Sequence, residues 1–321
     1  MHTMHTKRPR HIPLRPLALL TLAALLLTSC STVRYAGVSR IRHYTVSHEL
    51  LPQAFDGYRI AFASDFHLES KFKQRQLRGT VKALQAAAPD LLLLGGDYQE
   101  GCHYVEPLFA ALAQATPPAG TYAVMGNNDY ERCTHLIREA MERHGITLLE
   151  DSVAHVYRAN DSIALWGANP YRGRYPTANR RTIPQPTTQS SQLTTQNALS
   201  TQSSNTSALS PQLTANGQSP TAYTVLLTHT PDYVEEPEAT RAHLALAGHT
   251  HGGQVTLFGL YAPVTASKYG SRFRTRYTHS TQGTPIIISN GLGTSQRPIR
   301  LFAPTDIIVV TLKTVGSNAE L

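Results

Sequence analysis

Two histidines one residue apart, His249 and His251, stand between glycines in the segment GHTHGG at residues 248–253. The segment follows a short apolar run that is typical of a buried strand. Glycines allow the backbone to turn sharply and leave open space above the imidazole nitrogens. Neutral imidazole is a common ligand for Zn, Mn and Fe ions. Taken alone, the pair predicts either a metal site or two exposed surface histidines.

Other apolar segments also end in residues that could bind a metal ion. These residues are Asp65 and His67, Asp97, Asn127, and His229. Each one alone is equally typical of a turn, a helix cap or a core histidine. The carboxyl ends of strands are, however, where α/β folds place their active sites. Their joint appearance, each after an apolar strand, predicts one site that they share with the two histidines.

The segments between these residues alternate between strand and helix patterns. Predicted strands cover residues 58–63, 91–94, 121–125, 146–149, 153–158, 162–168, 223–227, 243–247, 285–289 and 306–312. Predicted helices cover residues 72–88, 105–115, 130–144 and 234–239. Alternation in the first part and strands in the last part predict an α/β fold with mixed sheets.

Together the motifs resemble those of the calcineurin-like metallophosphoesterases: D-x-H at residue 65, G-D at 96, G-N at 126, a lone histidine at 229 and G-H-x-H at 248. The segment GHTHGGQ and the tail over residues 291–304 resemble the membrane-associated bacterial branch, which includes UDP-2,3-diacylglucosamine pyrophosphatase-like members. The resemblance covers about residues 58–312, apart from a polar insert. It implies a four-layer αββα sandwich, in which two mixed β-sheets are flanked by helices.

The resemblance also implies a dinuclear metal site. One ion would be held by Asp65, His67, Asp97 and His251. The second ion would be held by Asp97, Asn127, His229 and His249. Oxygen and nitrogen donors without thiolate suit Mn²⁺, the expected metal, with Fe or Zn as alternatives. Two such cations can activate water and neutralise charge on a phosphoryl group, so a phosphate-containing small molecule or lipid is the expected substrate. The residues expected to take part directly in catalysis are Asp97, Asn128 and His249.

One position departs from the family pattern. The third motif usually continues with histidine, which helps the leaving group depart, and here Asn128 takes its place. An amide cannot give up a proton, and general acid catalysis is typically worth about 10²–10⁴-fold in rate. We therefore expect a substrate whose leaving group departs unaided, such as a pyrophosphate or an activated diester. His103 is either a substitute acid or a solvent-exposed loop histidine. A second hypothesis is a metal-containing phosphate-binding protein with weak or no turnover.

The N-terminal segment has the pattern of a secretory signal. Residues 7–16 are basic, residues 17–27 are almost purely apolar, and small residues lead to Cys30. The apolar run is shorter than the roughly 20 residues of a spanning helix. We predict a signal peptide over residues 1–29, of lipoprotein type with Cys30 acylated, or alternatively an uncleaved N-terminal membrane anchor. Residues 30–55 would form a tether, 56–314 the domain and 315–321 a tail.

Composition adds two expectations about partners. The formal net charge of +8 suits phosphate-bearing substrates or an anionic membrane surface, and no nucleic-acid module is recognisable. An apolar run at residues 257–261 precedes Lys268 and three arginines, at positions 272, 274 and 276. This combination suits an amphiphile with a phosphate head, or else is core and a solvated face.

Two further features concern the cellular compartment of the protein and the disorder of one segment. Cys102 and Cys133 follow Asp97 and Asp129, and outside the cytoplasm they could pair, which Cα atoms more than about 7 Å apart would rule out. An anchor on the periplasmic side conflicts with a UDP-lipid substrate, because UDP-sugars are scarce there. Residues 182–221 are uncharged and rich in Ser, Thr and Gln, which predicts a disordered insert.

Overall fold

Two six-stranded β-sheets form the framework of the protein. The computed structural model describes residues 37–69, 71–172 and 222–316. The first sheet has the spatial order β1 (Arg40–His48), β12 (Asp306–Thr314), β2 (Arg59–Ala63), β3 (Leu91–Leu94), β4 (Thr121–Ala123) and β5 (Ile146–Leu148). The second has the order β10 (Arg276–His279), β11 (Pro285–Ile288), β9 (Leu244–Ala247), β8 (Thr224–Thr228), β7 (Asp161–Ala168) and β6 (Ser152–Arg158). Both sheets are mostly parallel; the first has one antiparallel pairing, between β12 and β2, and the second has two, between β10 and β11 and between β6 and β7. The predicted α/β fold with two mixed sheets is therefore confirmed.

Helices cover the outer face of the first sheet. They are α1 (Lys71–Ala87), α2 (Val105–Leu112), α3 (Asn127–Glu131) and α4 (Thr134–Arg143). Leu84, Phe109 and Ile137 are fully buried in the core beneath these helices. Short 3₁₀ turns cover the outer face of the second sheet, where Val234 and Phe273 are buried.

A second large apolar layer lies between the two sheets. Phe62 and Leu93 from the first sheet share one buried cluster with Leu165, Leu227 and Leu246 from the second. Burying such a side chain contributes roughly 1.5–3 kcal/mol. Strands β3 and β9 are buried along their whole length, which explains their unbroken apolar sequences. The rigid central strands therefore hold the residues that follow them at fixed positions.

The predicted tether over residues 30–55 is wrong in its second half, because Arg40–His48 forms the edge strand β1. β1 pairs in parallel with β12 from the pair Arg40–Asp306 to the pair His48–Thr314. Arg42 also forms an ion pair with the buried Asp306. Most residues of β1 are only half-buried, so its sequence carries a weak apolar signal, and its partner lies at the far end of the chain.

Several predicted elements have different boundaries in the structure. The helix predicted over residues 130–144 is two helices, α3 and α4, which are separated by Arg132 and Cys133 with a left-handed backbone at Cys133. The helix predicted over residues 234–239 is a pair of 3₁₀ turns, each with proline at its start. Strand β10 was not expected from its polar sequence. The predicted signal peptide, Cys30 and the insert at 182–221 lie outside the described residues.

The described helices include none that is long and apolar enough to cross a membrane.

A disulfide joins Cys102 to Cys133 across the break between α3 and α4. The two Cα atoms are 5.4 Å apart, within the range that the sequence interpretation required for pairing. The bridge ties the loop that follows β3 to the start of α4. Both segments belong to the side of the molecule where β3 and β4 end.

Reduction of this disulfide will lower the free energy of unfolding by about 3–4 kcal/mol, because the cross-link closes a loop between residues 31 positions apart. Urea unfolding with and without a reductant measures the effect. The double variant Cys102→Ser/Cys133→Ser should show the same loss and no response to reductant. An unchanged midpoint, with thiol titration showing that the bond is open, would contradict this expectation.

Candidate metal centre

The strands that carry the candidate ligands end on one side of the molecule. β2 leads to Asp65 and His67, and its parallel neighbour β3 leads to Asp97. In the second sheet β8 leads to His229, and its parallel neighbour β9 leads to the histidine pair. The two sheets thus deliver ligands from opposite walls into one space.

The first cluster consists of Asp65, His67 and His251, all of them buried. The Nε2 atoms of the two rings face each other at 3.2 Å. Nε2 of His251 lies 3.5 Å from Oδ1 of Asp65. One ligand atom from each residue lies within 4.8 Å of the others, which is the spacing expected around a single ion.

The second cluster consists of Asp97, His229 and His249, with the same spacing of ligand atoms. Nε2 of His229 lies 3.1 Å from Nδ1 of His249. Oδ2 of Asp97 lies 3.3 Å from Nε2 of His229 and 3.5 Å from Nε2 of His67. A single carboxylate oxygen of Asp97 therefore stands between the two clusters.

The two asparagines of the third motif lie at the edge of the second cluster. Asn127 and Asn128 are half-buried and line the same cleft as Asp97 and His249. Oδ1 of Asn127 accepts a hydrogen bond from the hydroxyl of Tyr171 at 3.3 Å. The backbone N–H of Asn128 donates to Oδ1 of Asp97 at 3.0 Å, which leaves the other oxygen of this carboxylate facing the clusters.

Hydrogen bonds outside the clusters fix the ring orientations. Nδ1 of His229 donates to the carbonyl of Gly95 at 2.7 Å, so Nε2 is the ring nitrogen that faces the site. Nδ1 of His67 donates to Glu100 at 2.5 Å, with the same effect on its Nε2. Glu100 is held in turn by Arg132, at 3.2 Å. The sequence interpretation missed Glu100, although it stands only three residues after Asp97.

A second missed residue is Arg300, which is far from the motifs in sequence. Its guanidinium lies 3.0 Å from Nδ1 of His251 and donates to the carbonyl of Gly293. Burial lowers the pKa of His251 to about 3, despite the attraction of Asp65, and the charges of His67 and Arg300 act in the same direction. His251 is therefore held neutral, which is the form that binds a metal.

The carboxylates attract positive charge to the second cluster. Burial disfavours the charged form of His229, but the carboxylates of Asp97 and Asp65 raise its pKa to about 10. Burial also works against ionisation of Asp97, yet the surrounding histidines hold its pKa well below the usual range. The field at this point favours a cation among the ligand atoms.

The backbone is strained where the ligands stand. Five of the seven candidate ligands have a left-handed backbone without being glycine; they are Asp65, His67, Asp97, His249 and His251. Such residues cost about 1–3 kcal/mol each and persist where the surrounding fold enforces them, commonly at functional sites. Glycine is required beside them, because a Cβ at Gly126 would overlap Oδ1 of Asp97 and a Cβ at Gly248 would overlap Oδ2 of Asp65.

Asp129 supports the site from beneath. Its fully buried carboxylate accepts three backbone N–H bonds, from Asp97 at 2.7 Å, from Tyr98 at 3.0 Å and from Gly126 at 2.8 Å. Burial and the charge of Asp97 raise its pKa to about 7, against the effect of these donors. The residue thus joins the ends of β3 and β4, and its place in the third motif was the only sequence signal for this role.

Replacing Asp129 with asparagine will lower the free energy of unfolding by about 1–3 kcal/mol, because an amide N–H will face backbone donors and leave one of them unpaired. Urea unfolding of the purified variant measures the loss. Asp161→Asn is the matched control, because Asp161 is only half-buried at the start of β7. Equal stability of the two variants would contradict the assigned role.

The donor set fits divalent cations. The clusters offer carboxylate oxygens and imidazole nitrogens in a buried space, and in each cluster the ring nitrogens of two histidines approach each other within 3.2 Å. This set suits a divalent transition metal rather than a soft monovalent ion. Above the clusters opens a cleft of about 660 Å³, lined by Asn127, Asn128 and Arg297 among others. His103 lies exposed in the 3₁₀ turn after β3, with its ring against Tyr104.

The chain is similar to one family model and to several known proteins. Residues 58–253 match a family model described as calcineurin-like phosphoesterase. The chain is 26% identical to the uncharacterized metallophosphoesterase YkuE of Bacillus subtilis, over 85% of each chain. It is 28% identical to the phosphodiesterase YaeI of Escherichia coli, over 75% of this chain and 79% of the relative. The solved 5′-nucleotidase precursor of Thermus thermophilus is 15% identical and covers 72% of this chain and 48% of its own, with a TM-score of 0.37.

Proposed function

The chain belongs to the calcineurin-like phosphoesterases and is a phosphoester hydrolase that uses divalent metals, and from this premise we propose that it cleaves a phosphodiester or pyrophosphate bond at a two-ion centre. The observation that carries the proposal is the position of Oδ2 of Asp97, within 3.5 Å of a ring nitrogen in each cluster. A shared carboxylate at this point suits two ions, with Mn²⁺ the preferred metal and Fe or Zn the alternatives.

Each protein group has a defined part in the proposed reaction. Asp65, His67 and His251 would hold one ion, His229, His249 and Asn127 the other, and Asp97 both. When bound, the ions would supply Lewis-acid stabilisation of the phosphoryl oxygens and lower the pKa of water. Glu100 and the carbonyl of Gly95 keep the rings of His67 and His229 oriented, so that the cleft needs little rearrangement to receive a phosphate.

The bond cleaved is one whose leaving group departs without a proton. Asn128 stands where the family usually has histidine, and its amide Nδ2 donates to Glu100 at 3.2 Å. This amide can hold a phosphoryl oxygen or leaving oxygen by a hydrogen bond, but it cannot protonate one. A phosphoanhydride or an activated diester meets this requirement, and a simple alkyl monoester does not.

We extend the proposal to a lipid-linked substrate, of which UDP-2,3-diacylglucosamine is one example of the right chemistry. Support comes from the exposed apolar side chains at residues 257–261, close to Val255 on the wall of the cleft. The proposed location is the periplasmic side of a membrane, through Cys30 or an N-terminal anchor. The disulfide Cys102–Cys133 supports an oxidising compartment, which favours a lipid phosphate found there over a UDP-sugar.

The second candidate function is a metal-containing protein that binds a phosphate ligand and turns it over slowly or not at all. The observation that favours it is the hydrogen bonding of Asn128, whose Oδ1 accepts from Asn127 at 2.9 Å while its Nδ2 bonds Glu100. A side chain engaged in this way has little freedom to assist a departing group.

Removal of metal will abolish hydrolysis, and Mn²⁺ will restore it. Elemental analysis of purified protein should find about two ions per chain, as the paired clusters predict. With Mn²⁺ present, a nucleotide-sugar pyrophosphate and bis(p-nitrophenyl) phosphate should be cleaved far faster than an alkyl monoester. Preference for the alkyl monoester would contradict the inference that the leaving group departs without a proton. Stoichiometric phosphate binding with no turnover of any substrate would favour the second candidate.

A further inference from the structure

Exposed apolar side chains are concentrated in two loops beside the cleft. Residues 255–264 and 299–302, here called the apolar rim, hold nine of the fourteen exposed large apolar side chains of the described residues. Leu260 is 83% exposed and Phe258 is 68% exposed. Scattered single residues of this kind are normal, but a contiguous group marks an interaction surface.

The rim is a single ordered surface. The backbone N–H of Thr256 donates to the carbonyl of Leu301 at 2.9 Å, and the N–H of Leu301 donates to the carbonyl of Gln254 at 2.9 Å. The rings of Phe258 and Phe302 pack with centroids 5.3 Å apart. Arg274 holds the tip of the first loop by donating to the carbonyl of Gly259 at 2.8 Å. The side chains are therefore held outward by the fold.

The segment of chain that contains the rim carries charge of one sign, although the cleft beside it is also lined by Glu100 and Glu131. Residues 239–305 contain seven lysines and arginines and no aspartate or glutamate. Arg297, between the cleft and Ile299, is exposed, and so are Lys268 and Arg276. An apolar surface bordered by exposed cations matches a bilayer with anionic headgroups, where each cation near the surface contributes to binding.

The rim also adjoins two other features that concern a membrane. Val255 and Val264 belong to the rim and also line the cleft above the metal clusters. The chain enters the described domain at Gly37, whose carbonyl accepts a hydrogen bond from Thr305, three residues after Phe302. Cys30, the predicted lipidation site, stands only seven residues earlier in the sequence.

We propose that the apolar rim inserts into the surface of an anionic lipid bilayer, with the mouth of the metal cleft facing the headgroups. This inference rests on the membrane association proposed above and is independent of the proposed reaction. In this orientation a phosphate carried by a membrane lipid reaches the clusters while its acyl chains stay in the bilayer. The rim then acts as a docking surface, so that substrates are selected by their location in the membrane as well as by their chemistry.

The test places a tryptophan in the rim of the full-length, vesicle-bound protein. Leu260→Trp is compared with Tyr157→Trp, because Tyr157 is 72% exposed on β6, at the far edge of the second sheet. The parent has a single tryptophan, Trp166, which provides the background signal. Vesicles contain phosphatidylglycerol and phosphatidylcholine with brominated acyl chains, which quench tryptophan according to its depth.

The expected result is a blue-shifted emission at position 260 and quenching several-fold stronger than at position 157, since an inserted apolar face lies about 5–10 Å into the interface. Equal quenching at the two positions would overturn the proposal. A blue shift that grows with protein concentration and is insensitive to the quencher would assign the rim to a second copy and also overturn it. Equal quenching in pure phosphatidylcholine would overturn the role of the anionic headgroups.

The measurement requires no turnover, so it separates the docking surface from the reaction. Strong quenching in a protein without hydrolase activity would reject the proposed reaction and keep the surface. Hydrolysis of a soluble diester with no quenching at position 260 would reject the docking surface and keep the proposed reaction.

Discussion

Replacing Asp97 with asparagine will lower kcat/KM for a phosphodiester by at least about 10³-fold, which corresponds to about 4 kcal/mol of transition-state stabilisation. It will also reduce the bound metal from about two ions per chain to one or none. Steady-state kinetics in Mn²⁺ and elemental analysis of the same sample measure the two effects together.

The size of this effect follows from where the carboxylate stands. Its Oδ2 lies within 3.5 Å of a ring nitrogen in each cluster, and its Oδ1 is fixed by the backbone N–H of Asn128. An amide at this position is neutral and offers only one oxygen. The charge that attracts cations to both clusters would therefore be lost, although the shape of the side chain would be nearly unchanged.

Glu106→Gln is the matched control for the charge change, because Glu106 is exposed and pairs with Arg143 and His144 away from the cleft. This control should keep the metal content and the rate of the parent. An Asp97→Asn protein that binds two ions and retains activity would show that the clusters do not share a carboxylate, and the two-ion mechanism would fall with it.

Replacing Asn128 with histidine will raise the rate on substrates with poor leaving groups by about 10²–10⁴-fold and change the rate on p-nitrophenyl diesters little. The reason is that an imidazole can protonate an alkoxide as it departs, whereas p-nitrophenolate needs no such help. The measurement is the dependence of kcat/KM on the pKa of the leaving group. The parent should lose rate steeply along this series, and the variant should lose it gradually.

The surroundings of residue 128 are suited to a histidine. Glu100 lies within hydrogen-bond reach of the Asn128 amide and would orient an imidazole placed there. Asn128→Gln preserves the amide and serves as the control, with the steep dependence of the parent. Identical slopes for the histidine variant and the parent would contradict the assignment of this position. Activity that appears only in the variant would identify the natural protein as a phosphate-binding protein.

The sequence was sufficient to place the candidate ligands because their signals are local. Apart from Asn127, each ligand follows a strand with four buried residues, and neighbouring parallel strands bring the residues at their ends to the same edge of the sheet. His229 and Asp97 come within 3.3 Å across 132 positions because β3 and β8 end on the same side. For these residues, locating the strands in the sequence was nearly enough to predict which side chains meet at the site.

The features that the sequence did not predict depend on distant partners. Arg300 contacts His251 only because the tail folds back over β9, and nothing near residue 300 indicates a metal ligand. The break between α3 and α4 lies at Cys133, which is bonded to Cys102, a partner 31 positions away in the sequence. The apolar rim was foreseen in its first loop, but its second loop, at residues 299–302, joins it through a pairing 46 positions apart.

The pairing of β1 with β12 sets the order in which the molecule can be completed. β12 separates β1 from β2, so β1 has no partner strand, and β2 is paired only with β3, until residues 306–314 have been synthesised. Such long-range closure is slow, and an open strand edge invites pairing with other chains. A chain truncated before Asp306 would thus leave one edge of β2 unpaired and exposed. We expect such a chain to aggregate, and this effect would precede any loss of catalytic activity.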